Sequence, residues 1–75
     1  MKLEKSQKDL LYLLLKQEEE TSLTKIQSEL HISRRTVYYN VNKLNEFLFG
    51  FGINPVNNRR GEGYYLTEEQ KKVIR

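Results

Sequence analysis

The chain has 75 residues, with 13 basic and 10 acidic side chains, one histidine, no cysteine and a formal net charge of +3. A chain this short folds as one small domain, buries only about 60% of the surface its unfolded form exposes, and leaves no room for a large catalytic cavity. Without cysteine there is no disulfide framework and no thiolate metal site, which fits a reducing cytoplasm. No apolar run approaches the roughly 20 residues that span a bilayer, and the N-terminal lysines precede no signal-peptide cleavage pattern.

The first predicted helix starts at Ser6 as N-cap, with Asp9 near the positive end of the helix dipole. Leu10, Leu11, Leu14 and Leu15 fall at helical spacing, and Tyr12 and Leu13 widen the apolar surface. The helix is expected to end near Lys16 or Gln17, and Glu18-Glu19-Glu20 reads as a solvated connection. Thr21 or Ser22 can cap a second helix, with Leu23, Ile26 and Leu30 on its buried face. His31-Ile32 makes a turn in which Ile32 points inward.

Ser33 caps a third helix that runs toward Phe49. Its residues Val37, Val41, Leu44 and Leu48 recur at i, i+4, i+7 and i+11, a single stripe that must face the core. Gly50 is expected to stop this helix, and Gly52 and Pro55 to keep another from starting. Val56 is the main apolar anchor of the polar stretch from Asn54 to Arg60. Gly61-Glu62-Gly63 reads as a turn and Tyr64-Tyr65-Leu66 as strand-forming, so two short strands make a hairpin. Thr67-Glu68-Glu69-Gln70 matches a capping box, so a further helix starts there and runs to Arg75 while still amphipathic. Residues 67–75 are therefore expected to begin a linker helix toward downstream domains, and residues 1–66 to form the domain proper.

Helix, tight turn, helix and hairpin in this order predict a mostly α-helical domain with a small β-hairpin, a winged helix-turn-helix. The distribution of charge agrees. Residues 1–20 carry four lysines against five acids, whereas residues 31–60 carry Arg34, Arg35, Lys43, Arg59 and Arg60 against Glu46 alone. A basic region confined to the third helix and the hairpin is the footprint of a polyanionic partner.

With the valine-leucine stripe turned inward, Arg35, Tyr39, Asn42 and Glu46 point outward, flanked by Thr36, Tyr38 and Lys43. Arginine can bind guanine O6 and N7 through two parallel hydrogen bonds, and asparagine can pair similarly with adenine. The Ser33 and Thr36 hydroxyls and the free N–H groups at the helix start suit a phosphate, and Arg34 can take either role. In the hairpin, Arg59 and Arg60 can follow the backbone or enter the minor groove. The candidate DNA-binding residues are thus Ser33, Arg34, Arg35, Thr36, Tyr38, Tyr39, Asn42 and Lys43 on the helix, and Arg59 and Arg60 in the wing. His31 lacks partners for a metal site, no nucleophile–base set is evident, and no glycine-rich phosphate loop joins a strand to a helix. No enzymatic activity and no cofactor are therefore expected.

The segments IQSELHISRRTVYYNVNKLNEFL and RRGEGYYL together resemble the N-terminal winged helix-turn-helix of bacterial sugar-operon regulators. These are the BglG-type, mannitol- and lichenan-regulator-like activators that carry phosphotransferase-regulation domains. The Mga-type and DeoR-type regulators and the biotin repressor share a looser version. The resemblance spans about residues 6–66 and implies double-stranded DNA binding at carbohydrate operons, homodimerisation in the full-length protein, and contact with phosphotransferase proteins only through downstream domains that these residues do not contain. The chain departs from the family pattern at Gln27, where alanine is favoured, at His31, where glycine is favoured, and at Glu62, where the wing tip is often lysine. His31 is accordingly expected to take a left-handed backbone. Two other uses of the fold are conceivable. A protein-contact module would expose Phe47, Phe49 and Phe51, of which Phe47 and Phe49 are expected to pack against the first helix and the hairpin. An RNA-binding antiterminator reads its target through a different, strand-rich domain.

Overall fold

A computed structural model describes residues 3–59 and 63–74. Its elements in chain order are α1 (Lys5–Lys16), β1 (Thr21–Ser22), α2 (Leu23–Leu30), α3 (Arg34–Gly50), β2 (Asn57–Arg59), β3 (Gly63–Tyr65) and α4 (Glu68–Ile74). Three helices surround one apolar core, and the strands form an antiparallel sheet in the order β1-β3-β2. This is a winged helix-turn-helix. The expected two-stranded hairpin has a third member, because Thr21 and Ser22 pair with Tyr64 and Gly63 before the chain enters α2. A two-residue strand leaves too short a pattern in sequence to be seen.

The helices begin and end for local reasons. At the start of α1 the N-cap is Glu4, not Ser6. The Glu4 carboxylate accepts from the backbone of Gln7, and the Gln7 side chain accepts from the backbone N–H of Glu4 at 2.9 Å. Ser6 lies inside the helix and serves α3 instead. Ser22 caps α2 by accepting from the N–H of Lys25 at 3.1 Å. His31 ends α2 in the left-handed region, at φ 55° and ψ 47°, with its N–H directed to the Gln27 carbonyl. That conformation turns the chain into Ser33 within two residues.

At the other end of α3, Gly50 is still helical and Phe51 is the C-cap. The residue with positive φ is Gly52, at 73°. Its N–H bonds the Phe49 carbonyl and the Ile53 N–H bonds the Leu48 carbonyl, which satisfies two otherwise orphaned helix carbonyls. The helix thus ends at Gly50 as expected, and it is the left-handed turn that falls two residues later, at Gly52.

Leu10, Leu14, Ile26, Val37, Leu44 and Leu48 are essentially inaccessible to solvent. Val37, Val41, Leu44 and Leu48 all face inward, as their spacing predicts, and Val56 and Leu66 close the core from the sheet side. Gln70 joins the wing to α4. Its Oε1 accepts from Thr67 N and from Asn57 Nδ2, both at 2.8 Å, while its Nε2 donates to the Asn54 and Pro55 carbonyls at 3.0 Å. The capping box is thus also the clamp on the strand that carries Arg59. Buried Lys71 donates to the Gln17 carbonyl at the end of α1, which docks α4 onto the first helix.

Candidate nucleic-acid interface

The orientation of α3 is set by a polar contact within its apolar stripe. Asn40 is buried between Val37 and Leu44. Its Nδ2 donates to Ser6 Oγ at 2.6 Å, and its Oδ1 accepts from Gln7 Nε2 at 3.4 Å. Burying these groups without partners would cost about 1–3 kcal/mol each. The pairing therefore admits one rotation of α3 about its axis, the one that puts Asn40 against α1. The signal was in the sequence: Asn40 lies three residues after Val37 and four before Leu44, on the inward face.

That rotation fixes what faces out. Arg34, Arg35, Tyr39, Asn42 and Glu46 are exposed, with Tyr39 at 54% and Tyr38 at 41%. Arg35, Tyr39 and Asn42 form one row. At 1.5 Å per residue the row spans about 10 Å, close to the roughly 12 Å width of a B-DNA major groove. Lys43, on the flank of the row, is half-buried, its Nζ 3.4 Å from Glu46 Oε2 and 5.6 Å from the centre of the Tyr39 ring. Glu46 thus pairs with Lys43 where the row ends.

At the start of α3, Ser33 Oγ accepts from the Thr36 N–H at 3.2 Å and lies 2.9 Å from Thr36 Oγ1. Only one hydroxyl proton is used in that second contact. Whichever residue donates it, the other keeps a proton free for an external acceptor. The N–H groups of Arg34 and Arg35, in the first turn, have no intrahelical acceptor. Capping at Ser33 therefore leaves a hydroxyl proton available to an anion.

In the wing, Arg59 stands on β2 and forms an ion pair with Glu20, Nη1 to Oε1 at 3.3 Å. Glu20 belongs to the stretch expected to be plainly solvated, and nothing in the sequence near it announces a partner 39 residues away. Arg60, Gly61 and Glu62 lie outside the described residues. Tyr64, behind the wing, is buried, and burial followed by the nearby Tyr38 pushes its phenol above the ordinary value, partly offset by a hydrogen bond with Asn58.

The opposite end of α3 differs in character. Phe49 is 79% and Phe51 69% exposed, so Phe49 does not pack on the first helix or the hairpin as expected. It is the last apolar residue before the helix stops, on the outward side, and only Phe47 turns partly inward. Phe47 and Phe51 meet as a tilted pair, ring centres 5.0 Å apart, beside a groove that Ile53, Val73 and Ile74 complete.

Among the described residues, no cluster of three or more His, Asp or Glu is placed to hold a metal, and no helix is long and apolar enough to cross a membrane. Neither a curated protein nor a solved structure matches the chain. A family model described as an HTH domain matches residues 6–65, which takes in α1 through β3. With that match covering most of its length, and with the outward row of Arg35, Tyr39 and Asn42 on the second helix of the motif, the chain belongs to the helix-turn-helix (HTH) domain family, whose members are DNA-binding modules of transcription regulators.

Proposed function

We propose that this chain binds double-stranded DNA sequence-specifically, as the N-terminal domain of a bacterial regulator of carbohydrate uptake or utilisation operons. The observation that carries the DNA-binding part is the row Arg35, Tyr39 and Asn42, exposed above a stripe whose rotation Asn40 fixes. Arg35 and Asn42 supply bidentate base contacts, each worth about 1–3 kcal/mol of discrimination. Ser33, Arg34, Thr36, Tyr38 and Lys43 hold the flanking phosphates, and Arg59 and Arg60 extend the contact along the backbone. The assignment to carbohydrate operons rests on the resemblance of the third helix and wing segments to BglG-type regulators. On that reading residues 67–75 begin the link to sensing domains, and the regulator acts as a homodimer on a two-fold operator.

Titrating fluorescent duplex DNA with the protein at several salt concentrations tests this directly. Affinity should fall linearly on logarithmic axes as salt rises, with a slope reflecting several phosphates, and structured RNA should compete poorly. Salt-independent association, or equal competition by RNA, contradicts it.

A second reading, a winged helix used for protein contacts, is favoured by one observation, the exposure of Phe49 and Phe51. The two readings use opposite ends of α3. Retention on a heparin or DNA column at low salt separates them, since a module dedicated to protein contacts alone passes through.

A further inference from the structure

Arg59 is one of the two wing cations assigned above to the DNA backbone, yet Glu20 already holds it. The pair crosses the whole sheet. Glu20 directly precedes β1, Arg59 ends β2, and β3 lies between them. Ser22 and Arg59 both pair with Gly63, so the three residues form a row across the strands. The Glu20 carboxylate reaches Arg59 by passing over Gly63. A Cβ on Gly63 would lie 3.1 Å from Glu20 Oε2 and 3.1 Å from the Thr21 carbonyl oxygen, closer than a side chain tolerates without a shift. Gly63, expected in the turn, is instead the first residue of β3, and its bare Cα is the floor on which the carboxylate rests. The Arg59 side chain stays 71% exposed, against 37% for Glu20, so a phosphate can approach the guanidinium and contend with the carboxylate for it.

We propose that Glu20 sets the DNA affinity of the wing: its carboxylate holds the Arg59 guanidinium on the sheet, and a phosphate must compete with it for Arg59. This rests on the DNA-binding reading above. A phosphate that takes Arg59 leaves the Glu20 carboxylate unpaired beside a polyanion. Arg59 therefore contributes less than the full increment of about 0.9 in the salt slope that an unencumbered phosphate contact gives. Glu20 thus acts through Arg59, as a positioning residue.

The test is duplex binding against salt for the full chain, for Glu20→Gln, for Arg59→Ala and for the double variant, with circular dichroism to confirm folding. Glu20→Gln should bind any duplex about twofold to fivefold more tightly at low salt, the range expected when an exposed ion pair no longer competes. Its salt slope should be steeper than that of the parent, and the gain should vanish when Arg59 is alanine. Glu20→Asp, which keeps the charge but is one methylene too short to hold Arg59 across β3, should also steepen the slope. Affinity and slope unchanged in both Glu20 variants overturn the proposal. So does an equal gain in the Arg59→Ala background, which would assign the effect to the field of the carboxylate rather than to the pair. Failure of the DNA-binding reading itself looks different: none of the five proteins, the parent included, would bind at low salt.

Discussion

Asn40 donates to the Ser6 hydroxyl at 2.6 Å across the contact between α3 and α1. A polar side chain within an apolar stripe weakens hydrophobic packing, and here it supplies directionality. Leucine and valine fill space at several helix rotations, whereas a buried amide is satisfied at one. The outward row is aimed by an inward contact.

Replacing Asn40 should therefore cost more than its size implies. Asn40→Ala strands Gln7 Nε2 in the interior and leaves the half-buried Ser6 Oγ without its partner, and should destabilise the fold by about 1–3 kcal/mol in a urea titration. A loss within a few tenths of a kcal/mol would mean that the contact is incidental.

Thr21 presents the opposite case. Its Oγ1 is buried and has no hydrogen-bond partner among the described residues. Thr21→Val replaces the unsatisfied hydroxyl with a methyl of similar shape and should raise the urea midpoint, by a stability of about 1 kcal/mol. A lower midpoint would show that the hydroxyl is satisfied in solution.

Tyr64 gives the fold an alkaline limit. The unfolded chain releases this phenolic proton near 10.0, while the folded domain holds it to higher pH because its surroundings are apolar. The folded state then binds more protons than the unfolded state, so stability falls as pH rises through and beyond 10. Unfolding titrations at pH 9 and pH 11 should show a smaller drop for Tyr64→Phe than for the parent. Equal drops would place the loss elsewhere.

The two classes of DNA contact should separate by selection from a random duplex pool. Arg35→Ala and Asn42→Ala should each relax one or two positions of the enriched sequence, at about 1–3 kcal/mol of discrimination per lost contact. Arg60→Ala should weaken all sequences alike and lower the salt slope by about one. An enriched sequence unchanged by Arg35→Ala, or a salt slope unchanged by Arg60→Ala, contradicts this division.

Much of the fold was legible because its determinants are local. The Val37, Val41, Leu44 and Leu48 stripe, the Ser33 cap and the Thr67–Gln70 capping box all lie where short-range spacing and propensity place them, whereas the left-handed His31 followed from the family resemblance, in which glycine is usual at that turn. The cap at Glu4 was missed because a glutamate cap works only through its reciprocal bond with Gln7, and Ser6 offered a stronger conventional signal. What stayed hidden was long-range. Asn40 with Ser6, Glu20 with Arg59 and Lys71 with Gln17 join residues 34 to 54 positions apart. The exposure of Phe49 likewise depends on where α1 and the sheet stop covering α3. The candidate DNA face was legible in its residue types and spacing, but the restraint on its wing arginine was not.

Amide chemical shifts of the labelled domain, followed during titration with duplex DNA, test the central claim most directly. The largest changes should map to residues 33–43 and to the wing around Arg59 and Gly63, with Phe49, Phe51 and Val73 undisturbed. Changes centred on Phe49, Phe51 and Val73, with the Arg35, Tyr39 and Asn42 row unmoved, would contradict the account.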